Sequence, residues 1–195
     1  MTTQATDVIT GYPRQVQLKG GSSAVLRLMT PADRDAILAF ARALPADDLL
    51  FLRTDITDPE VVDEWVRNLG KRTITVLAEG TSGEGIAGYG SLHYNDTFWT
   101  RHLGEIRIQT SASMRGKGLG TVLAHAVFEI AHALGLRKIQ ASMTPDQIGA
   151  RATFERLGFQ MEALLSDFVI DRNGHLRDML IMSYDVGSLS DRADD

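Results

Sequence analysis

Apolar positions recur along this chain with two periods, and the places where the period changes divide it into elements. Ala24-Val25-Leu26-Arg27-Leu28-Met29 reads as a strand. Thr30 then stands as an N-cap with Pro31 at the first helical position, and Ile37, Leu38, Ala41 and Leu44 recur at helical spacing until Pro45 stops the run. Asp47 to Leu52 reads as a short helix. Asp58-Pro59 opens another, with Val61, Val62, Trp65, Val66 and Leu69 on one face and Gly70 as its stop. The β-branched run Thr73 to Ala78 and the alternating run Ile86 to Tyr94 predict two strands around a turn cluster at Gly80 to Gly85. A loop over 95–102 leads into a strand from Leu103 to Thr110.

Leu119, Val122, Leu123, Val127, Ile130 and Leu134 form the clearest apolar stripe, on a helix ended by Gly135. Arg137 to Met143 follows directly as a strand, so strand, helix and strand make a crossover. Its two strands are expected as near-parallel neighbours with a right-handed connection. Gln147 to Leu157 predicts a further helix closed by Gly158, and Phe159 to Asp171 and Met179 to Val186 predict two strands around the turn Arg172-Asn173-Gly174. The order β-α-α-α-β-β-β-α-β-α-β-β implies an α+β fold with a mixed sheet and helices on both faces, spanning residues 24–186. Residues 1–23, rich in Thr, Gln, Gly and Ser, read as an N-terminal extension, and 187–195 as a frayed polar tail.

Composition narrows the function. A length of 195 residues with 44% hydrophobic and 23% charged residues fits one ordinary globular domain with a substantial core. The net charge of −5, with no basic tract to offset it, argues against nucleic acid as a partner. The absence of cysteine excludes a disulfide framework, a thiol nucleophile and cysteine-based metal sites. No apolar run approaches the ~20 residues that cross a bilayer. Met1 to Thr10 is polar and includes Asp7, so no secretory signal is expected and a cytoplasmic location is the default.

Candidate chemistry centres on Gln109 to Thr121. A strand enters this stretch and a helix leaves it, and between them Gly116, Gly118 and Gly120 alternate with Lys117 and Leu119, after Arg115. A strand, a glycine-rich turn and a helix N-terminus bring backbone N–H groups together on a phosphate, so a phosphate-bearing cofactor is expected here. It is not a dinucleotide fingerprint, because Thr121 stands where that pattern needs glycine. No Gly-Lys-Ser/Thr follows four spacer residues either, so it is not a P-loop.

Met114-Arg115-Gly116-Lys117-Gly118-Leu119-Gly120 resembles the Arg/Gln-x-x-Gly-x-Gly/Ala hallmark of the GCN5-related N-acetyltransferase (GNAT) family. Ala152-Thr153-Phe154-Glu155-Arg156-Leu157-Gly158-Phe159 resembles that family's later helix ending in Gly-Phe, and the element order is similar from about residue 24 to residue 186. The resemblance implies a mostly antiparallel central sheet of about seven strands. It also implies acetyl-CoA as co-substrate, without a metal. Backbone amides of Arg115, Gly116, Lys117, Gly118, Leu119, Gly120 and Thr121 would hold the pyrophosphate. Peptide groups near Gln109, Thr110 and Ser111 would meet the pantetheine arm and the acetyl carbonyl. Gln147 or Asp146, and Phe154, stand where the family places further cofactor contacts, in place of its usual Asn and Tyr. With Phe154 lacking a hydroxyl, the general acid is left to water or Tyr184, or is not needed.

Direct attack by an amine on a thioester requires a neutral amine, so a general base is useful. Glu105 is the candidate. It lies on the strand entering the loop, and period-2 alternation puts Glu105, Arg107 and Gln109 on one face and Ile106, Ile108 and Thr110 on the other. The competing reading is a structural carboxylate paired with Arg107 or Arg101. The resemblance is nearest in look to bacterial protein-lysine acetyltransferases, which favours a protein lysine over a small polyamine or aminoglycoside as acceptor. A longer acyl group, and a CoA-binding sensor without turnover, are the other readings. His93, Tyr94, Phe98, Trp99 and His102 could line the acceptor side or simply pack. Asp47, Asp48 and Asp55 could attract a cationic amine or form a solvated face. Trp65 fits its helix's core stripe. His125, Glu129 and His132 have metal-ligand spacing on one helix, and the same spacing describes a solvated face, which is preferred. Sequence leaves the chain a monomer or a dimer.

Overall fold

The computed structural model describes residues 9–49, 52, 54–80 and 85–186, without the side chain of Asp47. The expectations for 1–8, for the end of the second helix, for the centre of the Gly80–Gly85 turn and for the tail 187–195 lie outside these residues. Eight strands form one sheet: β1 (Arg14–Gln17), β2 (Ser23–Leu28), β3 (Thr73–Gly80), β4 (Ile86–Tyr94), β5 (Leu103–Thr110), β6 (Lys138–Met143), β7 (Gln160–Ile170) and β8 (Leu176–Asp185). Their order is β1-β2-β3-β4-β5-β6-β8-β7, and among the strands of the described residues only β5 and β6 pair in parallel. The helices are α1 (Arg34–Arg42), α2 (Ala46–Leu49), α3 (Pro59–Asn68), α4 (Leu119–Ala133) and α5 (Ile148–Arg156).

The mixed α+β fold is as the sequence implies, with one strand more. The segment read as an extension supplies β1, which pairs with β2 from Arg14↔Leu26 to Gln17↔Ser23. Its sequence RQVQ carries one apolar residue, because at the sheet's edge it buries little. β8 also starts at Leu176 rather than Met179, extending the hairpin with β7.

Helices cover both faces, and period 2 in the central strands supplies both cores. Ile74, Val76 and Ala78 of β3, with Leu92 of β4 and Ile106 of β5, meet Leu119, Leu123, Val127 and Ile130 of α4. Leu77 and Tyr89 face the other way, onto Ile37 and Phe40 of α1 and Val62 of α3. Gly90 lets α4 lie close on β4, since a β-carbon there would come 3.1 Å from Val127 Cγ2 and 3.2 Å from the Leu123 carbonyl. The crossover β5-α4-β6 therefore sets the middle of the sheet, and the functional loop is its first turn.

One polar cluster ties the first half together. Arg27 on β2 donates to both carboxylate oxygens of Asp33, at 2.8 and 2.6 Å, and to Glu79 of β3 at 2.6 Å. Asp33 also closes the capping box of the single turn Pro31–Asp33 that leads into α1, accepting from the Thr30 backbone N–H at 2.8 Å. The Arg27 guanidinium, first among the causes, holds the Asp33 carboxyl down to about 2. A depressed carboxylate contributes stability that is present above its unfolded value and is lost as pH falls toward its folded one. Urea unfolding measured from pH 5 to pH 2 is therefore expected to show the protein losing on the order of 2 kcal/mol more than Asp33→Asn does, mostly between about pH 4 and pH 2. Parallel curves for the two would remove this role from Asp33.

Candidate active site

β5 and β6 pair over only three positions, Leu103↔Lys138, Gly104↔Ile139 and Glu105↔Gln140. Beyond Glu105 they part, although β5 stays registered with β4 as far as Gly88↔Thr110 and β6 stays registered with β8 as far as Met143↔Leu180. The alternation along β5 decides which peptide groups face the gap. Ser111 donates its N–H to the Ala87 carbonyl at 2.8 Å. In an antiparallel ladder hydrogen-bonded pairs alternate, so Gln109 and Arg107 also bond to β4, opposite Tyr89 and Ser91. Ile108 and Thr110 then turn their N–H and C=O groups toward the gap. Sequence reasoning placed Gln109, Thr110 and Ser111 here; of these, Thr110 faces the gap, and Ile108 is the residue it missed. Only the paired register carries that signal.

Past β5 the chain makes one turn over Ala112–Met114, with Ser111 Oγ and Ser113 Oγ 3.1 Å apart, and then enters α4. Gly116 (φ 75°) and Gly118 (φ 84°) take the left-handed conformation that bends the backbone into the helix. Gly118 is the N-cap and offers no side-chain cap; among the described residues no side chain caps α4, and its first turn holds no acidic residue. The N–H groups of Leu119, Gly120 and Thr121 are thus left for a ligand, at the positive end of a 15-residue helix. A gap lined by unpaired peptide groups on β5, opening onto such a turn, fits a linear thioester cofactor carrying a diphosphate.

A model of the Acetyltransferase (GNAT) family matches residues 36–159. The chain belongs to the GNAT acetyltransferase family. A Bacillus subtilis (strain 168) protein named YwnH, a candidate phosphinothricin acetyltransferase, is 26% identical over 167 residues, covering 83% of this chain and 98% of its own length. A solved structure titled as a candidate phosphinothricin N-acetyltransferase superposes with TM-score 0.73 at 24% identity, over 84% of this chain and 98% of that one. The Salmonella typhimurium protein yncA, solved with its cofactor acetyl-CoA, superposes with TM-score 0.69 at 20% identity, over 84% of this chain and 94% of that one. At these identities the two structures speak for the fold alone.

As a GNAT enzyme the protein uses acetyl-CoA as co-substrate. Around the cofactor loop, Arg115 is engaged by the Asp48 carboxylate of α2, and Lys117 Nζ rests on Met114 Sδ at 3.9 Å. Gln147 sits in the turn before α5, where its side-chain oxygen accepts the Thr144 N–H at 3.1 Å. Phe154 is buried in the core, edge-on to Phe159 with centroids 4.9 Å apart. Tyr184 stacks on Phe128 at 5.1 Å and pairs with Ile139, at a level where β5 and β6 are still joined.

Glu105 lies on the predicted face of β5, directly across from His93. Arg107 Nε donates to its carboxylate at 3.2 Å, the pairing anticipated as the structural alternative. His93 is fixed between Thr73 Oγ1, at 3.1 Å, and Ser91 Oγ, at 3.0 Å. On this face a cavity of about 200 Å³ lies between α3 and strands β3 to β5. Trp65, Tyr89, Ile56 and Val61 give it apolar walls, and His93 and Arg107 give it polar ones. Trp65 was read from sequence as core; it does pack edge-on to Tyr89 at 5.0 Å, but it also lines this cavity and donates its N–H to Thr75 Oγ1 at 3.1 Å. Phe98 and Trp99 do not line it and are 79% and 85% exposed, with the Arg101 guanidinium over the Phe98 ring at 4.3 Å. The cavity's outer wall includes Ile56, next to Asp55. Asp55 is paired with Arg172 of the β7–β8 turn, and its carboxyl is held below the ordinary value first by the Thr57 hydroxyl.

His125 and Glu129 are otherwise engaged, His125 edge-on to Phe128 at 6.0 Å and Glu129 paired with Arg14 at 2.7 Å. Among the described residues no helix is long and apolar enough to cross a membrane.

Asp48 puts a carboxylate, 19% exposed, against the cation nearest the cofactor loop. Asp48→Asn is therefore expected to tighten acetyl-CoA binding about threefold by calorimetry, by freeing Arg115 and removing a charge that repels the cofactor. Unchanged or weaker binding would show that the pair does not compete with the ligand.

Proposed function

We propose that the protein acetylates a small primary amine bound in the cavity beside α3, with Glu105 as general base. What carries this reading is the juxtaposition of that cavity, the Glu105–Arg107 row and the point where β5 leaves β6, all within a few residues of one strand. Bound acetyl-CoA supplies the acetyl group as a thioester.

A primary amine is mostly protonated at neutral pH, so one proton has to leave before nitrogen can attack. Glu105 accepts it, directly or through one water, and Arg107 Nε, 3.2 Å away, orients the carboxylate. The N–H groups of Ile108 and Thr110 face the gap and are ready to donate to the carbonyl oxygen as charge develops on it. Nitrogen–carbon bond formation and carbon–sulfur bond cleavage then complete the transfer, the nitrogen's second proton passing to solvent as the sulfur leaves. Phe154 has no hydroxyl, so protonation of the departing sulfur is left to solvent. The apolar walls exclude water around the amine and favour its neutral form.

The resemblance to protein-lysine acetyltransferases favoured a protein acceptor. The apolar lining formed by Trp65, Tyr89, Ile56 and Val61 supports a free amine instead, and the name of the Bacillus subtilis relative points the same way.

Release of free CoA thiol, followed with a panel of small amines and lysine peptides, tests the assignment. Glu105→Gln is expected to lower kcat on the order of 10²-fold while leaving the Kd for acetyl-CoA unchanged. Equal kcat in the two proteins would remove the base role from Glu105, and turnover confined to the peptides would reverse the choice of acceptor.

A further inference from the structure

The loop's own cations are partly committed, Arg115 to Asp48 and Lys117 to the neighbourhood of Met114. A third cation reaches the same place from outside the region that the family model matches, which begins at residue 36. Lys19 lies in the turn Lys19–Gly21 between β1 and β2. Its backbone N–H donates to the Lys117 carbonyl at 2.9 Å, which staples this turn to the cofactor loop. Leu18 beside it is buried in the core under α4, and Leu18 N–H bonds the Ser22 carbonyl at 2.8 Å, so the turn is fixed from both sides.

From that fixed backbone the Lys19 side chain runs along Gly118. A β-carbon placed on Gly118 would lie 3.6 Å from Lys19 Cγ and 3.8 Å from its Cδ and Cε. The methylenes therefore lie along Gly118 at van der Waals distance, beside the left-handed residue (φ 84°) that opens α4. Their course brings the ammonium, one bond beyond Cε, to the uncapped end of α4. Lys19 is exposed and forms no ion pair among the described residues. Two lysines held beside the same helix N-terminus repel each other until an anion lies between them.

We propose that Lys19 is a cofactor-binding residue whose ammonium pairs with the diphosphate of acetyl-CoA at the start of α4. β1 and the turn after it are then part of the cofactor site, and they hold a cation where the loop's own arginine is engaged by Asp48. The assignment rests on the acetyl-CoA site and is independent of the choice of acceptor.

Calorimetric titration of CoA and of 3′-dephospho-CoA into the full chain tests it without any turnover. Lys19→Met keeps the methylenes on Gly118 and removes only the charge. It is expected to weaken both ligands about tenfold, the scale of one charge-assisted hydrogen bond, with the melting temperature unmoved. Lys19→Arg is expected to stay within about threefold of the native protein, since it keeps the charge. Native affinity in Lys19→Met would overturn the proposal. A penalty seen with CoA but absent with 3′-dephospho-CoA would overturn the assignment to the diphosphate. No binding of either ligand to the native protein would overturn the cofactor site itself, and this assignment with it.

Discussion

Beyond Glu105, β5 keeps one neighbour and loses the other, and the site is arranged around that loss. Each half of the sheet is internally satisfied: β5 follows β4 to Thr110, and β6 follows β8 to Met143. Only three residue pairs join the halves. Peptide groups without a partner are costly unless water or a ligand meets them. The parting therefore creates a line of donors and acceptors at Ile108 and Thr110, aimed into a groove that ends at the uncapped N-terminus of α4. An extended thioester with a diphosphate tail matches both ends of that groove, and the family match identifies it as acetyl-CoA.

The segment between α1 and α3 completes the site from above, and arginines hold it at two points. Arg115 of the cofactor loop takes Asp48, and Arg172 of the β7–β8 turn takes Asp55. Asp48 and Asp55, two of the acidic residues that suggested an attractive surface for a cationic amine, are thus used as anchor points. One anchor is to the half of the sheet that ends in the cofactor loop and the other to the half beyond the parting. Between them the segment carries Leu52, Thr54 and Ile56 into the cavity wall. The two ties set this cavity beside the parting of β5 and β6, and on the function proposed above that is the proximity a direct transfer needs.

Much of this was legible in the sequence wherever a pattern is local. The crossover, the face shared by Glu105 and Arg107, the glycine turn and the long stripe on α4 follow from spacing alone. β1 was not legible, because an edge strand with a single apolar residue looks like any polar segment. Lys19, the cofactor contact proposed above, was not legible for the same reason: its place depends on a backbone bond to Lys117, which no local pattern predicts. Ile108 was missed because the choice between alternate peptide groups needs the register with β4. Trp65 satisfied a core pattern and still lines the cavity, since a residue at the edge of one core can also wall a site.

The central claim is that the edge of β5 after Glu105 is the cofactor's binding edge. Residue-resolved amide hydrogen exchange, with and without acetyl-CoA, tests it most directly. In the free protein Ile108 and Thr110 should exchange faster than Arg107 and Gln109, which bond to β4. Saturating acetyl-CoA should slow Ile108 and Thr110 most within β5, together with Leu119 to Thr121 at the start of α4. Protection of Ile108 and Thr110 that is already high without the cofactor, or that does not change when it binds, would contradict the account.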